Sequence, residues 1–202
     1  ESLFMQLWKI REKVLDIHEA TTGNRIIVSV NVIGGVKKNL SREQMQWIQS
    51  ELVEVEKEIN RLGTTLLTDY TVKKRTVGKG VVSKDQAYEL GLVGPTLRAS
   101  GVAQDLRQLG YSGFNQIDFE PVVETGGDCY ARSRVRFREV LQSIHLIRQA
   151  QSIIPRGETR IKVQGRPQGE IFSRVEQPRG ELFYYIKANG SQNLDRLRIR
   201  TP

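Results

Sequence analysis

The stretch with the most chemistry in it reads Arg174-Val175-Glu176-Gln177-Pro178-Arg179-Gly180-Glu181-Leu182-Phe183-Tyr184-Tyr185. Pro178 fixes its own φ, and Gly180 permits a backbone conformation that other residues avoid. Arg179 stands between them, its backbone constrained on both sides. A guanidinium is always charged, and on such a corner it is well placed to point into a cleft. The same residues also describe a strand-connecting turn with an exposed arginine. Residue chemistry alone leaves both readings standing.

Other reactive side chains are sparse. His18 and His145 are the only histidines. Each falls on an expected helix without a partner at metal-ligand spacing, so packing or surface roles suit them better than ligation. Cys129 is the single cysteine. A helix N-terminus could acidify its thiol, but no histidine or other base lies near it in sequence. Gly78-Lys79-Gly80 and Gly34-Gly35 resemble pieces of phosphate loops, yet lack the P-loop spacing and the dinucleotide fingerprint. Turns are the better reading. Arg132, Arg134, Arg136, Arg138 and Arg148 could line a nucleic-acid groove, or form a solvated or subunit-facing surface. The aromatic interleaving of single-strand binders is missing around them.

These residues need elements to hold them. Residues 128–155 read as one long helix. Gly126 and Gly127 break the chain before it, Asp128 is an N-cap, and Pro155 ends it. Val140, Ile144 and Ile147 recur at helical spacing, with Phe137, Leu141 and Ile154 near the same face and the arginines opposite. Residues 1–22 form an amphipathic helix on Leu3, Leu7, Ile10, Val14 and Ile17, closed by Gly23. Ser41 with Gln44 is a capping box for a helix over 41–62. Its stripe is Met45, Ile48, Leu52, Val55 and Ile59, and Gly63 closes it.

Between the long helices lie smaller pieces. A strand is expected over 25–33, a short helix within 64–74 and a basic loop over 73–79. Ser83 and Gln86 cap a short helix to residue 90. Residues 91–101 are irregular around Pro95, 105–109 make a helical turn, and 114–119 and 122–124 are extended. Short strands are expected near 159–163, 170–176, 181–187 and 194–200. Asn189-Gly190 is a hairpin turn, because both residues tolerate positive φ. The expected fold class is α+β, mainly α: a bundle of three long helices with small antiparallel β pieces, mostly C-terminal.

The 202 residues allow one domain or two small ones, and a single domain over 1–202 is the expectation. Hydrophobic residues make up 38% and charged residues 27%, which fits a soluble globular protein. No apolar run approaches the roughly 20 residues needed to cross a bilayer, and no signal peptide is visible. One cysteine excludes an internal disulfide framework and a cysteine-only metal site. The net charge is +8. Arg156, Arg160, Lys162, Arg166, Arg174, Arg179, Lys187, Arg196, Arg198 and Arg200 crowd the last quarter. Such an excess suits nucleic acid, an anionic membrane surface or an acidic partner subunit. The chain opens on Glu1 inside an expected helix and stops at Pro202 just after an expected strand, so an internal fragment of a longer polypeptide is expected.

A resemblance runs through nearly the whole chain. Arg11-Glu12-Lys13 leads to Thr22-Gly23-Asn24-Arg25-Ile26, then to Gly34-Gly35-Val36. Gly94-Pro95-Thr96-Leu97-Arg98-Ala99-Ser100-Gly101 follows, with Asp105-Leu106-Arg107. Gly127-Asp128-Cys129-Tyr130-Ala131-Arg132 opens the long helix. Pro178-Arg179-Gly180-Glu181 and Arg198-Ile199-Arg200-Thr201-Pro202 complete the order. In this order the blocks resemble the large subunit of energy-converting, membrane-associated nickel–iron hydrogenases and the homologous 49-kDa quinone-site subunit of respiratory complex I, the NADH dehydrogenase. The short connection over 154–174 and the Glu181-Leu182-Phe183-Tyr184-Tyr185 pattern look more like the hydrogenase branch.

The resemblance implies an oxidoreductase subunit that couples electron transfer from an iron–sulfur cluster to proton reduction or hydrogen oxidation. The alternative is a complex I subunit forming part of the quinone site, with NADH as electron source. In the hydrogenases a nickel–iron centre is held by cysteine pairs near the two chain ends. Both pairs are missing here, so the fragment alone is expected to bind no cofactor and to be inactive, with a nickel–iron centre possible in the full-length protein. Arg179 matches the arginine that sits over the open metal position in the hydrogenases, which implies a catalytic role from just outside the metal ligands. Arg98 and Arg107 are implied at the face toward the iron–sulfur subunit. The implied partners are that small iron–sulfur subunit and other subunits of a membrane-bound complex, with the protein cytoplasmic and peripheral on the inner face of the cell membrane. No nucleic acid is expected. Outside the resemblance, a basic nucleic-acid-binding module remains the rival, and it would show steep salt dependence. A structural subunit that has lost its catalytic cysteines would share the fold.

Overall fold

A computed structural model describes residues 2–155 and 157–202. Glu1 and Arg156 lie outside the described residues. The chain divides into two compact units, Glu1–Leu66 with Leu141–Gln164 and Leu67–Val140 with Gly165–Pro202. About half of it is helical, with small antiparallel sheets, the larger near the C-terminus. This is a mixed α+β fold.

In the first unit, α1 spans Ser2–Thr22 and buries Ile10 and Leu15. Gly23 closes it at φ +86°, its N–H bonded to the Glu19 carbonyl at 2.8 Å. The Ser41–Gln44 capping box forms in both directions, at 3.0 and 3.1 Å. It opens α2, Arg42–Thr68, which buries Ile48, Leu52, Val55, Ile59 and Leu62. Gly63 does not end α2 as expected. It lies inside the helix and is buried, and the apolar stripe continues past it through the half-buried Leu66. Burial along that stripe outweighs the roughly 1 kcal/mol that glycine costs within a helix.

The expected strand over 25–33 shrinks to β1, Asn31–Val32, paired with β2, Gly35–Val36. Arg25 explains part of this. Its guanidinium turns back onto α1, to Glu12 at 2.6 Å, Asp16 at 2.7 Å and Glu19 at 2.8 Å. The β-branched Ile26 and Ile27 are then left exposed with no strand beside them. The strand expected over 159–163 is reduced to one bridge, Arg160 to Gly35. A Cβ on Gly34 or Gly35 would stand 2.3 or 2.2 Å from the Ile161 or Thr159 carbonyl oxygen. These glycines serve close backbone approach rather than phosphate binding.

In the second unit, α3 spans Tyr70–Thr76 and is capped by Asp69. The helix expected within 64–74 is thus split between the end of α2 and α3. Helix α4, Lys84–Glu89, has the full Ser83–Gln86 capping box. Residues 91–101 are more ordered than expected: α5 occupies Gly94–Arg98, with Pro95 in its first turn, where no N–H is required. One 3₁₀ turn spans Leu106–Leu109, as expected. A second, Tyr111–Gln116, replaces the extended segment expected over 114–119. Its ring cluster, Tyr111–Phe114 at 5.4 Å and Phe114–Phe119 at 6.0 Å, holds this coiled path together.

Helix α6, Cys129–Ile153, supplies its first part to this unit and its last part to the other. Asp128 caps it, with Oδ1 accepting from the Ala131 N–H at 2.7 Å and Oδ2 from the Gly78 N–H at 2.7 Å. The expected stripe holds in part: Ile144 is buried and Phe137 and Leu141 are half-buried. Val140 and Ile147 are 39% and 40% exposed, while Ala131, Val135, Ile144 and Leu146 are buried. Ala131 and Val135 pack with Ala99 and Val122. Strands β3, Gln168–Gln177, β4, Gly180–Asn189, and β5, Leu194–Arg200, form one antiparallel sheet in the order β3-β4-β5. The β4–β5 loop runs through residues 190–193. Only Gly190 takes positive φ there, at +84°, and Asn189 instead accepts from the Ser191 N–H at 2.9 Å through its side chain.

Candidate functional site

The turn between β3 and β4 is two residues long, Pro178-Arg179, closed by the Gln177–Gly180 pair. It rests directly on the start of α5. A Cβ on Gly94 would lie 2.2 Å from the Arg179 carbonyl oxygen, and one on Gly180 would lie 2.6 Å from Val93 Cγ2. Two backbones can meet this closely only because both positions are glycine. The Arg179 backbone is therefore fixed. Its side chain is exposed, and it has no ion pair or side-chain hydrogen bond among the described residues. Geometrically this is the strand-connecting turn with an exposed arginine. Chemically it is a permanent, unpaired positive charge on a rigid corner.

Behind the turn lies a buried ionic cluster. Arg98 is 1% exposed, at the end of α5. Its Nε donates to Glu139 at 2.8 Å, and its Nη1 reaches Glu176 at 2.9 Å, Asp105 at 3.0 Å and the Gln104 carbonyl at 3.0 Å. Asp105 also holds Arg107, through bonds of 2.9 and 2.7 Å from Nε and Nη2. The Arg107 guanidinium lies 4.4 Å over the Phe119 ring. Glu176 accepts from the Leu106 N–H at 3.1 Å, and its own N–H donates to the Tyr111 hydroxyl at 2.8 Å. One end of β3, both 3₁₀ turns, α5 and α6 are thus tied to one guanidinium.

The cluster holds two guanidiniums against three carboxyl groups. Burial raises the Glu139 carboxyl above its ordinary value, and Arg98 beside it only partly opposes this. Burial pulls Arg107 down, but its bond and charge interaction with Asp105 more than offset that, leaving it raised. Tyr111 is raised by burial, against the hydrogen bond from Glu176.

Arg98 and Arg107 are therefore brought together, but Arg98 is not at a surface. Its side chain is the hub of the cluster, and Arg107 is only 14% exposed beside it. The sequence reading missed Asp105, Glu139, Glu176 and Tyr111. Glu139 carried the one available signal, an acidic residue directly after a run of alternating arginines on α6.

The remaining candidates lie elsewhere. Arg132 donates to Cys129 Sγ at 3.1 Å and also to the Gly127 and Gly80 carbonyls at 2.8 and 2.9 Å. His145 Nε2 lies 3.8 Å from Glu56, and His18 sits on α1. Arg134 and Arg138 share Glu124, at 3.2 and 2.7 Å, and Arg148 reaches Glu56 at 2.7 Å. The arginines of α6 are largely tied to this chain's own acceptors, which weakens the nucleic-acid reading. Among the described residues no cluster of three or more His, Cys, Asp or Glu could hold a metal ion. A lone thiol bonded to an arginine does not fit a nickel–iron centre, which needs several soft thiolates. No helix among the described residues is long and apolar enough to cross a membrane.

The family described as respiratory-chain NADH dehydrogenase, 49 Kd subunit, matches residues 1–166 and 161–202. The chain belongs to this family. Within the 49-kDa family it is 38% identical over 205 residues to the carbon monoxide-induced hydrogenase of Rhodospirillum rubrum, covering all of this chain and 57% of that protein. It is 36% identical over 211 residues to an F(420)H(2) dehydrogenase subunit of Methanosarcina mazei, again across the whole chain and 56% of the relative. An NADH-quinone oxidoreductase subunit of Chloroherpeton thalassium is 33% identical over 230 residues, 52% of its length. The chain spans about half the length of these relatives. The hydrogenase and complex I names both fall within the resemblance drawn from the Pro178-Arg179-Gly180-Glu181 and Gly94–Gly101 blocks.

Proposed function

We propose that this chain is part of an oxidoreductase subunit in a membrane-associated complex, where it couples electron transfer from an iron–sulfur cluster in a small partner subunit to proton reduction or hydrogen oxidation. The observation that carries this is the unpaired Arg179 guanidinium, fixed on a turn whose backbone is locked against α5. A charge held this way needs no reorganisation when negative charge develops beside it. The 38% identity to the carbon monoxide-induced hydrogenase supports the hydrogen branch. Any nickel–iron centre of the full-length protein is held by residues outside this chain, and this chain's part is to build the charged wall beside it. The subunit sits peripherally on the inner face of the cell membrane.

A second reading makes the protein the quinone-site subunit of a complex I-type NADH:quinone oxidoreductase. The family description and the quinone oxidoreductase relatives favour it. The two part on metal content. The full-length protein, purified from its native host with its partners, is assayed for nickel and iron. About one nickel per chain supports the hydrogenase reading. No nickel, with iron only in the partner subunits, supports the quinone reading.

A further inference from the structure

One face of the three-stranded sheet carries charge that the chain does not neutralise. The register sets Phe172 beside Tyr185 and Arg198, and Glu170 beside Lys187 and Arg196. Side chains alternate along a strand, so these residues share a face with Phe183. The rings confirm it: Phe172 lies 5.6 Å from Phe183 and 5.0 Å from Tyr185. Phe172 is nonetheless 64% exposed. Lys187 sits directly opposite Arg196, a like-charge pair that costs stability in a sheet. Lys187, Arg196 and Arg198 have no carboxylate within ion-pair distance among the described residues. The nearby Glu170 is taken by the Tyr185 hydroxyl at 2.5 Å.

We infer that this face, with Phe172 at its centre and Lys187, Arg196 and Arg198 beside it, docks an acidic segment of a partner polypeptide carrying an apolar side chain for Phe172. Two features select this occupant. The uncompensated cations call for anions, and arginine pairs with carboxylates through two parallel bonds. The exposed Phe172 ring, with the half-buried Phe183 and Tyr185 beside it, calls for an apolar neighbour. Nucleic acid fits less well. Phe172, Phe183 and Tyr185 are tilted against one another at 36° and 38° rather than presented as separate stacking platforms.

The partner is taken to be a subunit of the complex, so the inference rests on the proposed function. The test keeps the two apart. Benzoylphenylalanine replaces Phe172 in the full-length protein, which is isolated with its partners and irradiated. Mass spectrometry is expected to place the cross-link on a segment rich in Asp and Glu in another polypeptide. Arg196→Glu with Arg198→Glu is expected to lower its yield at least about tenfold, the scale of a lost interfacial charge pair. Arg196→Lys with Arg198→Lys preserves it, which separates charge from misfolding. Cross-links confined to this polypeptide, to lipid or to nucleic acid, or none at all within an intact complex, overturn the inference while leaving the proposed function standing. A protein that isolates without other subunits overturns both.

Discussion

Gly94 and Gly180 meet backbone to backbone: a Cβ added to Gly94 would stand 2.6 Å from Gly180 Cα. Both take positive φ, +65° and +136°. The contact locks the turn that carries Arg179 onto the helix that carries Arg98. One exposed guanidinium and one buried guanidinium are therefore positioned by a single pair of glycines.

Gly94→Ala should be costly for two reasons. Left-handed backbone costs a side chain about 1–2 kcal/mol. The new methyl also meets backbone atoms, which cannot swing aside as a side chain can. Gly91 has nearly the same φ, +60°, with nothing within 4 Å, so Gly91→Ala meets only the first penalty. Urea unfolding should show a loss above about 3 kcal/mol for Gly94→Ala and about 1 kcal/mol for Gly91→Ala. Equal losses would mean the turn can slide off α5.

Arg98→Met removes the cation from among Asp105, Glu139 and Glu176, whose side chains are 0%, 13% and 6% exposed. Uncompensated buried charge is the expensive outcome, about 3–5 kcal/mol. Arg98→Lys keeps the charge but loses the planar fork that reaches three carboxylates at once, so it should lose less. Chemical unfolding of both variants checks the order.

Glu139 titrates above its ordinary value because it is buried. A carboxyl with a raised folded-state value binds its proton more tightly folded than unfolded. Its contribution to stability is full below the unfolded value near 4.5 and is lost as pH rises through the folded value. Stability of the natural chain minus that of Glu139→Gln should therefore fall as pH rises from about 4 toward neutrality. Parallel stability curves across that range would show that Glu139 is not the group responsible.

Local signals were legible where a side chain meets its own backbone neighbours. Ser41, Ser83 and Asp128 cap helices because their oxygens reach an N–H three residues on, and sequence contains that spacing. The strands expected near 170–176 and 181–187 fall within β3 and β4, but Pro178 and Gly180 by themselves left the turn and the cleft-facing arginine equally open. Failures came where a distant partner decides. The β-branched run at 25–33 needed a neighbouring strand, yet Arg25 folded back onto α1 instead. The expected α6 stripe of Val140, Ile144 and Ile147 holds at Ile144, whereas Val140 and Ile147 are exposed and burial falls on Ala131 and Val135, packed against Ala99 and Val122. The ionic cluster joins Arg98 to residues 41 and 78 positions away, and no local spacing encodes that.

Arg179 supplies the decisive variant, because its side chain holds nothing up. It is exposed and has no side-chain partner among the described residues, so Arg179→Ala should leave the unfolding midpoint unchanged. If the proposed role holds, the same substitution in the full-length protein with its partners should lower hydrogen turnover by about 10²–10³-fold, the scale of losing one preorganised charge at a reacting centre. Arg179→Lys should recover part of this, since charge remains while the fork is lost. Hydrogen uptake with a dye acceptor, measured beside the unfolding curves, reads both quantities from one preparation. Full turnover in Arg179→Ala would remove the corner from the reaction and leave the quinone reading as the stronger one.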